Sequence, residues 1–545
     1  MPVVEVRFDK ILPRLGMGKE ELLEKLPYLG LDLEDVGEDY VKVEYNPNRP
    51  DYSTHWGIER GLKGLLGIEV GMPKFEVKRS GIEVLVDKRV SSVRPYILCV
   101  VAKGLKLDDE AIKQLIGMQE DLHEGLGRGR RKVSIGLHDL DAIKPPLTYT
   151  LKGPSFRFRP LDAERDMSVE EVLRETEVGR RYGYIVEGKG YPMLLDSKGG
   201  VLAFPPIVNG EMTRVSEDTR NLFVDVTGTD MRLVEDVVSI IAATLWEIAE
   251  ELCGVEVVYG DRRVFTPDMK PIRMEVELEP LMKLLGLKLS PEEVVECLKR
   301  CRIDATASKG TLKLEIPRYR IDVMHPVDIA EEIMLGYGVY RLRPKLPRFR
   351  GSGSKDAKLK LLDEFREAMI GLGMIEVVNF TLLSGRALYE YTNRSGGGLR
   401  VENPKSSEYE AIRDMLLPSL LLTLARNLDE EYPQKIFEVG RVFDGEGEAY
   451  HLSACIASSD TDYTDIKSHL TSLIRNTMGI DPETEGLELP FMIPGRSASV
   501  KVGGEEVGFL GEVRPDVLER FGLRVPVSAF ELDLEPLVKL LGVES

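Results

Sequence analysis

The sequence predicts a multidomain α+β protein, and three observations carry that reading. The chain has 545 residues, about 3.6 times a typical domain of ~150. Short β-rich runs alternate with amphipathic helical stretches. The texture of the sequence also differs between four successive stretches, so one domain is the wrong starting picture.

The first stretch, residues 1–80, is a mixed unit. It holds an amphipathic segment at Lys19 to Leu29, an acidic patch, and Glu44-Tyr-Asn-Pro-Asn-Arg-Pro-Asp51 leading to Trp56 and a helical run from Ile58 to Leu66. Two prolines around Asn48-Arg49 fix φ and predict a rigid loop before a helix. Residues 81–265 read as an α+β domain, in which strands such as Tyr96–Ala102 and Leu222–Thr227 alternate with helices and Pro-containing turns.

Residues 266–347 show a compact β-α-β-α pattern: Met274–Leu278, a helix over Pro291–Cys301, Leu312–Ile316 and a final helix. This pattern fits a small winged or helix-turn-helix-like module. Gly351-Ser-Gly-Ser354 is the clearest linker. Residues 352–545 begin with an amphipathic helix at Leu359–Leu372. Strands at Ile375–Phe380, Ile436–Phe443 and Leu452–Ala457 then predict an antiparallel sheet flanked by helices.

Composition narrows the function. With 43% hydrophobic and 30% charged residues the chain buries several cores, which excludes global disorder. The net charge of −19 repels polyanions, so nucleic acid must be met by local basic clusters. Gly127-Arg-Gly-Arg-Arg-Lys132 is the densest basic run, either a phosphate-holding segment or a solvated loop. The N-terminus lacks a basic and then apolar signal pattern, and no run of about 18 apolar residues occurs, so a soluble, cytoplasmic protein without a membrane partner is expected. Five cysteines without a Cys-x-x-Cys pair give no zinc or redox signature; Cys297 and Cys301 share a helix face as a small apolar pair. Only three glutamines occur, a thermophile-like habit.

The strongest local chemistry is Pro317-Arg-Tyr-Arg-Ile-Asp322-Val-Met-His-Pro-Val-Asp328-Ile-Ala-Glu331-Glu332. Pro326 is placed to start a helix, which puts Asp328, Glu331 and Glu332 at i, i+3 and i+4 on one face, with Asp322 closing over the same spot. Converging carboxylates repel one another, and a hard divalent cation with oxygen ligands, magnesium first, relieves that repulsion. Spacing alone leaves open the alternative that acidic residues simply favour the positive end of the helix dipole. His325, a lone histidine beside the cluster, reads as a packing or surface residue.

These residues carry a resemblance. Lys283-Leu-Leu-Gly, the segment Ile316 to Ile333 and Gly336-Tyr-Gly resemble the B5 region of the β subunit of phenylalanyl-tRNA synthetase. Asn46-Pro-Asn-Arg-Pro-Asp51 and Ile135-Gly-Leu-His-Asp-Leu-Asp141 resemble the same family. The resemblance runs through nearly the whole chain, at a length similar to the archaeal and eukaryotic form. It implies a B1-like domain at 1–80, a B3/B4 editing-type domain at 81–265, a B5 domain at 266–347 and a non-catalytic class II synthetase-like domain at 352–545. It further implies an (αβ)₂ heterotetramer that uses ATP to attach phenylalanine to tRNA(Phe), with activation in the α subunit. Asp322, Asp328, Glu331 and Glu332 then correspond to the family's magnesium ligands. Arg413-Asp-Met-Leu-Leu-Pro418 and Ile436-Phe-Glu-Val-Gly440 keep the framework of the class II second motif, whereas Gly508 to Arg514 lacks the Gly-rich ending with a phosphate-binding arginine.

The resemblance also implies an editing pocket that hydrolyses tyrosine wrongly esterified to the tRNA. A phenylalanine site rejects an isostere with one added hydroxyl poorly, and a second site is the physical remedy. Asp225 and Thr227, two apart on a strand, share one side. In this reading Asp225 accepts the phenol hydroxyl, Thr227 lies beside it, and Leu194 and Ala203 form the ring wall. The alternative for Asp225 is a surface aspartate at a strand end. His138 is either a lining residue or a structural one. With no Ser-His-Asp order evident, hydrolysis is expected to use a positioned water, aided by the terminal hydroxyl of the tRNA. Two other functions stand beside this one. One is a scaffold and tRNA-binding subunit with an inactive pocket, for which Ala203 is the warning. The other is a free-standing magnesium-dependent phosphoryl enzyme, disfavoured by the lack of a P-loop.

Overall fold

Alternation builds the first sheet. Val4, Val6, Val41 and Val43 point inward at every second position of Val3–Arg7 and Tyr40–Glu44, and Asp32–Val36 completes three antiparallel strands with Tyr40–Glu44 in the middle. The acidic patch is that outer strand, exposed along its length. Its charges discourage further edge pairing. These elements come from a computed structural model that describes residues 2–347, 351–445 and 447–542. The chain divides into two units, residues 1–345 and 346–545.

The Asn46–Asp51 loop is a charge clamp. Arg49 donates from Nε and Nη2 to both oxygens of Asp51, each at 2.9 Å, and the loop leads into α1 (His55–Leu65), capped by Thr54. Arg60 of α1 then joins distant segments: its guanidinium lies 4.3 Å from the centre of the Tyr319 ring and donates to the Ala243 carbonyl at 3.2 Å. These contacts tie α1 to segments far away in sequence.

The second sheet holds the candidate site. It is built around α2 (Asp109–Glu124), β1 (Val133–Asp139), β2 (Val208–Asn209), β3 (Asn221–Gly228) and α3 (Met231–Trp246). From one edge the strands run β2, Val201–Phe204, Tyr191–Leu195, Leu147–Lys152, Val77–Val86, Glu251–Tyr259, Tyr96–Lys103, β3 and β1, with Arg262–Thr266 paired to Glu251–Tyr259 off this path. Period-two alternation splits β3 between two cores. Leu222, Val224 and Val226 pack under α2 and α3, and Phe223 packs on the opposite face. The two edge strands approach each other: Asn209 Nδ2 of β2 donates to the Leu137 carbonyl of β1 at 3.2 Å. A gap between edges bridged by side chains is the setting of the site.

The module that follows is β-α-α-β-β-α, not the expected β-α-β-α. The sequence reading missed the helix Leu278–Leu285 and the strand Asp304–Ser308. Pro280 hides the helix, although a proline in the first turn removes no intrahelical hydrogen bond. The strand is short and polar, with only Ala305 buried. Its sheet orders Ile272–Glu277, Thr311–Ile316 and Asp304–Ser308, and α4 (Pro326–Tyr337) closes it. Cys297 is buried, and Cys301, at the C-cap of Pro291–Arg300, donates from Sγ to the Glu332 carbonyl at 3.1 Å.

Residues 346–545 form a seven-stranded sheet: Ile375–Glu376, Gln434–Phe443, Glu448–Ala457, Val527–Asp533, Glu505–Val513, Met492–Val502 and Glu483–Gly486. All neighbours are antiparallel except the first pair. The strand expected over 375–380 stops at Glu376, and Val378 and Phe380 are 89% and 71% exposed. Gly351–Ser354 is exposed without regular structure. Among the described residues no helix is long and apolar enough to cross a membrane.

Candidate functional site

A cavity of about 410 Å³ lies between α2, β1 and the segment from Ala203 to Val215. That size suits an amino-acid-sized group. Leu115, Ile116, Ala203, Phe204 and Ile207 give it apolar walls, and Asp225 reaches it from β3.

The edge of β1 is finished by side chains instead of a strand. His123 Nε2 accepts from the Ile135 N–H at 2.9 Å and Gln119 Nε2 donates to the Ile135 carbonyl at 2.8 Å. Nε2 is therefore an acceptor, and Nδ1–H meets Glu120 Oε1 at 3.1 Å. Burial keeps the His123 ring below its ordinary pKa. The His123 hydrogen bond, with help from Arg130, holds the Glu120 carboxyl at about 2 despite partial burial.

The polar end of the cavity has a definite order. Asp225 stands opposite Gly136 in the β1–β3 register, so its carboxylate passes over a position without a side chain and reaches His138. His138 Nε2 lies 2.8 Å from Asp225 Oδ1, and Nδ1 lies 2.7 Å from Thr213 Oγ1. Asp225, His138 and Thr213 are 1%, 0% and 1% exposed. Such a chain of mutually satisfied polar groups in a low-dielectric site is rigid. It is a hydroxyl–imidazole–carboxylate sequence that begins with a threonine, so the expectation of no Ser-His-Asp order is not contradicted by it.

Of the four residues expected at this pocket, the structure brings Asp225 and Ala203 to the cavity wall. Asp225 is a mid-strand buried carboxylate, not a surface residue at a strand end. Leu194 is the cross-strand partner of Ala203 but packs behind it with Tyr149 and Phe223. Thr227 is likewise on the same face of β3 as Asp225 yet serves the framework: its Oγ1 accepts from Arg94 Nε at 2.9 Å and meets Ser134 Oγ at 2.9 Å. Burial lowers the Arg94 pKa to about 10. The basic run divides: Arg128, Arg131 and Lys132 are exposed, whereas Arg130 turns inward, donating to Glu120 at 2.9 Å and to the Ile207 carbonyl at 3.0 Å. Thr213 and Asn209 were missed, because nothing in the sequence marks residues that arrive from the far edge of a curled sheet.

The carboxylate cluster has an occupant that the sequence reading overlooked. Arg320 donates to Asp322 Oδ2 at 2.7 Å, to Glu332 Oε1 at 2.5 Å and to Glu332 Oε2 at 3.1 Å, and is itself buried. Burial opposes the charge on Asp322, but Arg320 outweighs it and holds the carboxyl below its usual range. Asp328 is spent on the helix start: its Oδ2 accepts from the Met324 and His325 N–H groups at 2.7 and 2.6 Å, and His325 Nδ1 accepts from Val327. Partial burial, then Glu332, Asp322 and Asp328, push the Glu331 pKa up. The all-oxygen donor chemistry suits a hard cation. The spacing does not: among the described residues no group of three or more His, Cys, Asp or Glu is placed to hold a metal ion. The four carboxylates thus do not form a ready cage, because the guanidinium of Arg320 already neutralises two of them.

In the second unit Arg413 is buried, donating from Nη1 to Glu438 Oε1 at 2.7 Å and from Nε to the Arg441 carbonyl at 2.9 Å. Its guanidinium lies against Gly440, where a Cβ would fall 2.4 Å from Nη2. Arg514 is paired with Asp516 at 2.7 Å. A buried cation committed as Arg413 is does not turn to meet phosphate.

Comparison with known proteins agrees along the chain. Residues 274–339 match the tRNA synthetase B5 domain and residues 342–534 match the phenylalanyl tRNA synthetase beta chain CLM domain. The chain is 40% identical over 539 residues to the phenylalanine–tRNA ligase beta subunit of Archaeoglobus fulgidus, covering 98% of each chain. It is 39% identical over 565 residues to the corresponding subunit of Thermococcus gammatolerans, covering 98% of this chain and 99% of that one. Among solved structures, an N-terminal fragment of the phenylalanyl-tRNA synthetase beta subunit from Pyrococcus horikoshii is similar, with a TM-score of 0.60 at 38% identity over 62% of this chain and 99% of the fragment.

Proposed function

This chain belongs to the phenylalanine–tRNA ligase β-subunit family, and on that premise we propose that its cavity is a proofreading site which hydrolyses tyrosine wrongly esterified to tRNA(Phe). The observation that carries the reading is a cavity of amino-acid size with apolar walls and a buried carboxylate, Asp225, at one end. A ring slides between Ala203, Phe204 and Leu115, and a phenol hydroxyl meets the Asp225 carboxylate. A site built to bind a hydroxyl discriminates strongly against the analogue lacking it, because the buried acceptor is then left unpaired. Phenylalanyl ester is spared on that account. No side-chain nucleophile is needed: a water held near the ester attacks its carbonyl, and the tRNA hydroxyl leaves, with the neighbouring terminal hydroxyl of the tRNA assisting.

In the same reading the chain assembles with an α subunit as an (αβ)₂ heterotetramer in the cytoplasm, and the α subunit uses ATP to charge tRNA(Phe). Arg413 is buried and engaged by Glu438, which supports an assembly role without its own ATP chemistry for residues 352–545. Exposed Arg128, Arg131 and Lys132 are the cations proposed to meet tRNA phosphate. Magnesium is proposed at Glu331, the one carboxylate of the four that neither Arg320 nor the start of α4 engages directly, with Asp322 and Glu332 committed to Arg320 and Asp328 to the helix start. The test is deacylation of tyrosyl-tRNA(Phe) by the assembled complex: Asp225→Ala slows it by about two orders of magnitude, and an unchanged rate leaves the scaffold reading with an inactive pocket.

A further inference from the structure

We propose that Thr213 is a positioning residue for the cavity: its hydroxyl donates to His138 Nδ1, so that the ring proton sits on Nε2 and holds Asp225 Oδ1. The proposal rests on the proofreading reading and deepens it, since a fixed Asp225 is what a phenol hydroxyl then meets.

The distances decide where the protons go. Thr213 Oγ1 has two acceptors in reach, His138 Nδ1 at 2.7 Å and the Gly210 carbonyl at 3.5 Å. A hydroxyl has one proton, and a contact at the limit of hydrogen-bonding distance does not compete with a short one. Nδ1 is therefore the acceptor. A neutral imidazole that accepts at one nitrogen donates at the other, and Nε2 faces Asp225 Oδ1 at 2.8 Å. The three side chains are almost fully buried, which strengthens each link in the chain.

The origin of Thr213 matters as much as its hydroxyl. It sits in the short turn Glu211–Thr213 just after β2, at one edge of the sheet, whereas His138 belongs to β1 at the other edge. The hydroxyl therefore couples the orientation of the acceptor Asp225 to closure of the gap in which the cavity lies. Asn209, two residues before the turn, makes the second tie across that gap to the Leu137 carbonyl. Removing the Thr213 hydroxyl frees the ring to exchange protons between its nitrogens, and an Nδ1–H ring no longer donates to Asp225.

Two readouts test this. The full chain has six histidines, so ¹⁵N-histidine labelling gives a countable spectrum in which His138 is assigned by its loss in His138→Gln. The expected wild-type ring is the Nε2–H tautomer; Thr213→Val, which keeps the shape, shifts it toward a tautomer mixture, and Thr213→Ser restores it. In the assembled complex, Thr213→Val reduces the preference for deacylating tyrosyl- over phenylalanyl-tRNA about tenfold, with Thr213→Ser near wild type. A wild-type ring protonated on Nδ1, or a Thr213→Val variant with unchanged tautomer and preference, overturns the proposal. A wild-type complex inert toward tyrosyl-tRNA, with the tautomer as stated, overturns the proofreading reading instead, so the two failures are told apart.

Discussion

Gly136 stands directly opposite Asp225 across the β1–β3 pair, and a Cβ at that position would fall 2.3 Å from Asp225 Oδ1 and 2.6 Å from His138 Nε2. The absence of a side chain is what lets a carboxylate on one strand reach an imidazole two residues along the next. Gly136→Ala pushes the pair apart at the buried polar end of the cavity. The expected result is loss of tyrosyl-tRNA deacylation by on the order of 10²-fold, comparable to misplacing a reacting group by about 1 Å. Charging with phenylalanine by the assembled enzyme is expected to be unchanged.

Arg320 is the second point of leverage. It is buried between Asp322 and Glu332, and Arg320→Met leaves those two carboxylates without their counter-charge. Breaking a buried pair from one side costs about 3–5 kcal/mol. Urea unfolding of the chain should show that loss. A double variant, Arg320→Met with Glu332→Gln, recovers part of it, since the isolated charge is what destabilises.

The proposed magnesium would sit at Glu331, to which Arg320 makes no direct hydrogen bond. Glu331 feels Glu332, Asp322 and Asp328, and its raised pKa reports that crowding after partial burial. A cation held there stabilises the folded chain by mass action, about 1.4 kcal/mol at ten times its dissociation constant. Thermal melting after chelation and re-addition of magnesium should show an upward shift that Glu331→Gln removes. Identical melting with and without magnesium counts against the proposal.

Much of this architecture is legible in the sequence, and the exceptions have physical causes. Strands that alternate cleanly, such as Asn221–Gly228, and a helix announced by Pro326 are read directly because their signal is local. Asp225 and Ala203 are reached from the strand pattern and the family resemblance together. Leu194 and Thr227 share the right strands and faces but stand behind the cavity, a distinction of a few ångströms that periodicity does not carry. Thr213 and Gly136 depend on sheet curvature and register, which only the fold supplies. Arg320 was in view two residues before Asp322. Counting carboxylates without counting the cation inside the same motif concealed its role.

His55 gives the first unit an acid-sensitive element. Burial first, then Arg14 and Lys10, lower its pKa from 6.5 to about 4. The neutral ring is the folded form, so the unfolded chain binds a proton that the folded chain refuses between pH 6.5 and about 4. Stability is full above pH 6.5, falls as pH drops through that window, and levels off below it, for a total of roughly 3 kcal/mol. The Trp56 ring lies 4.3 Å from that of His55, so tryptophan fluorescence in denaturant reports the transition. His55→Gln is expected to flatten the profile.

The most direct measurement uses the chain assembled with its α subunit and tRNA(Phe) carrying tyrosine. Wild-type complex should release tyrosine rapidly, and Asp225→Ala should slow release by about two orders of magnitude while phenylalanine charging proceeds as before. Equal release by the two complexes, or none by either, contradicts a corrective site in this cavity.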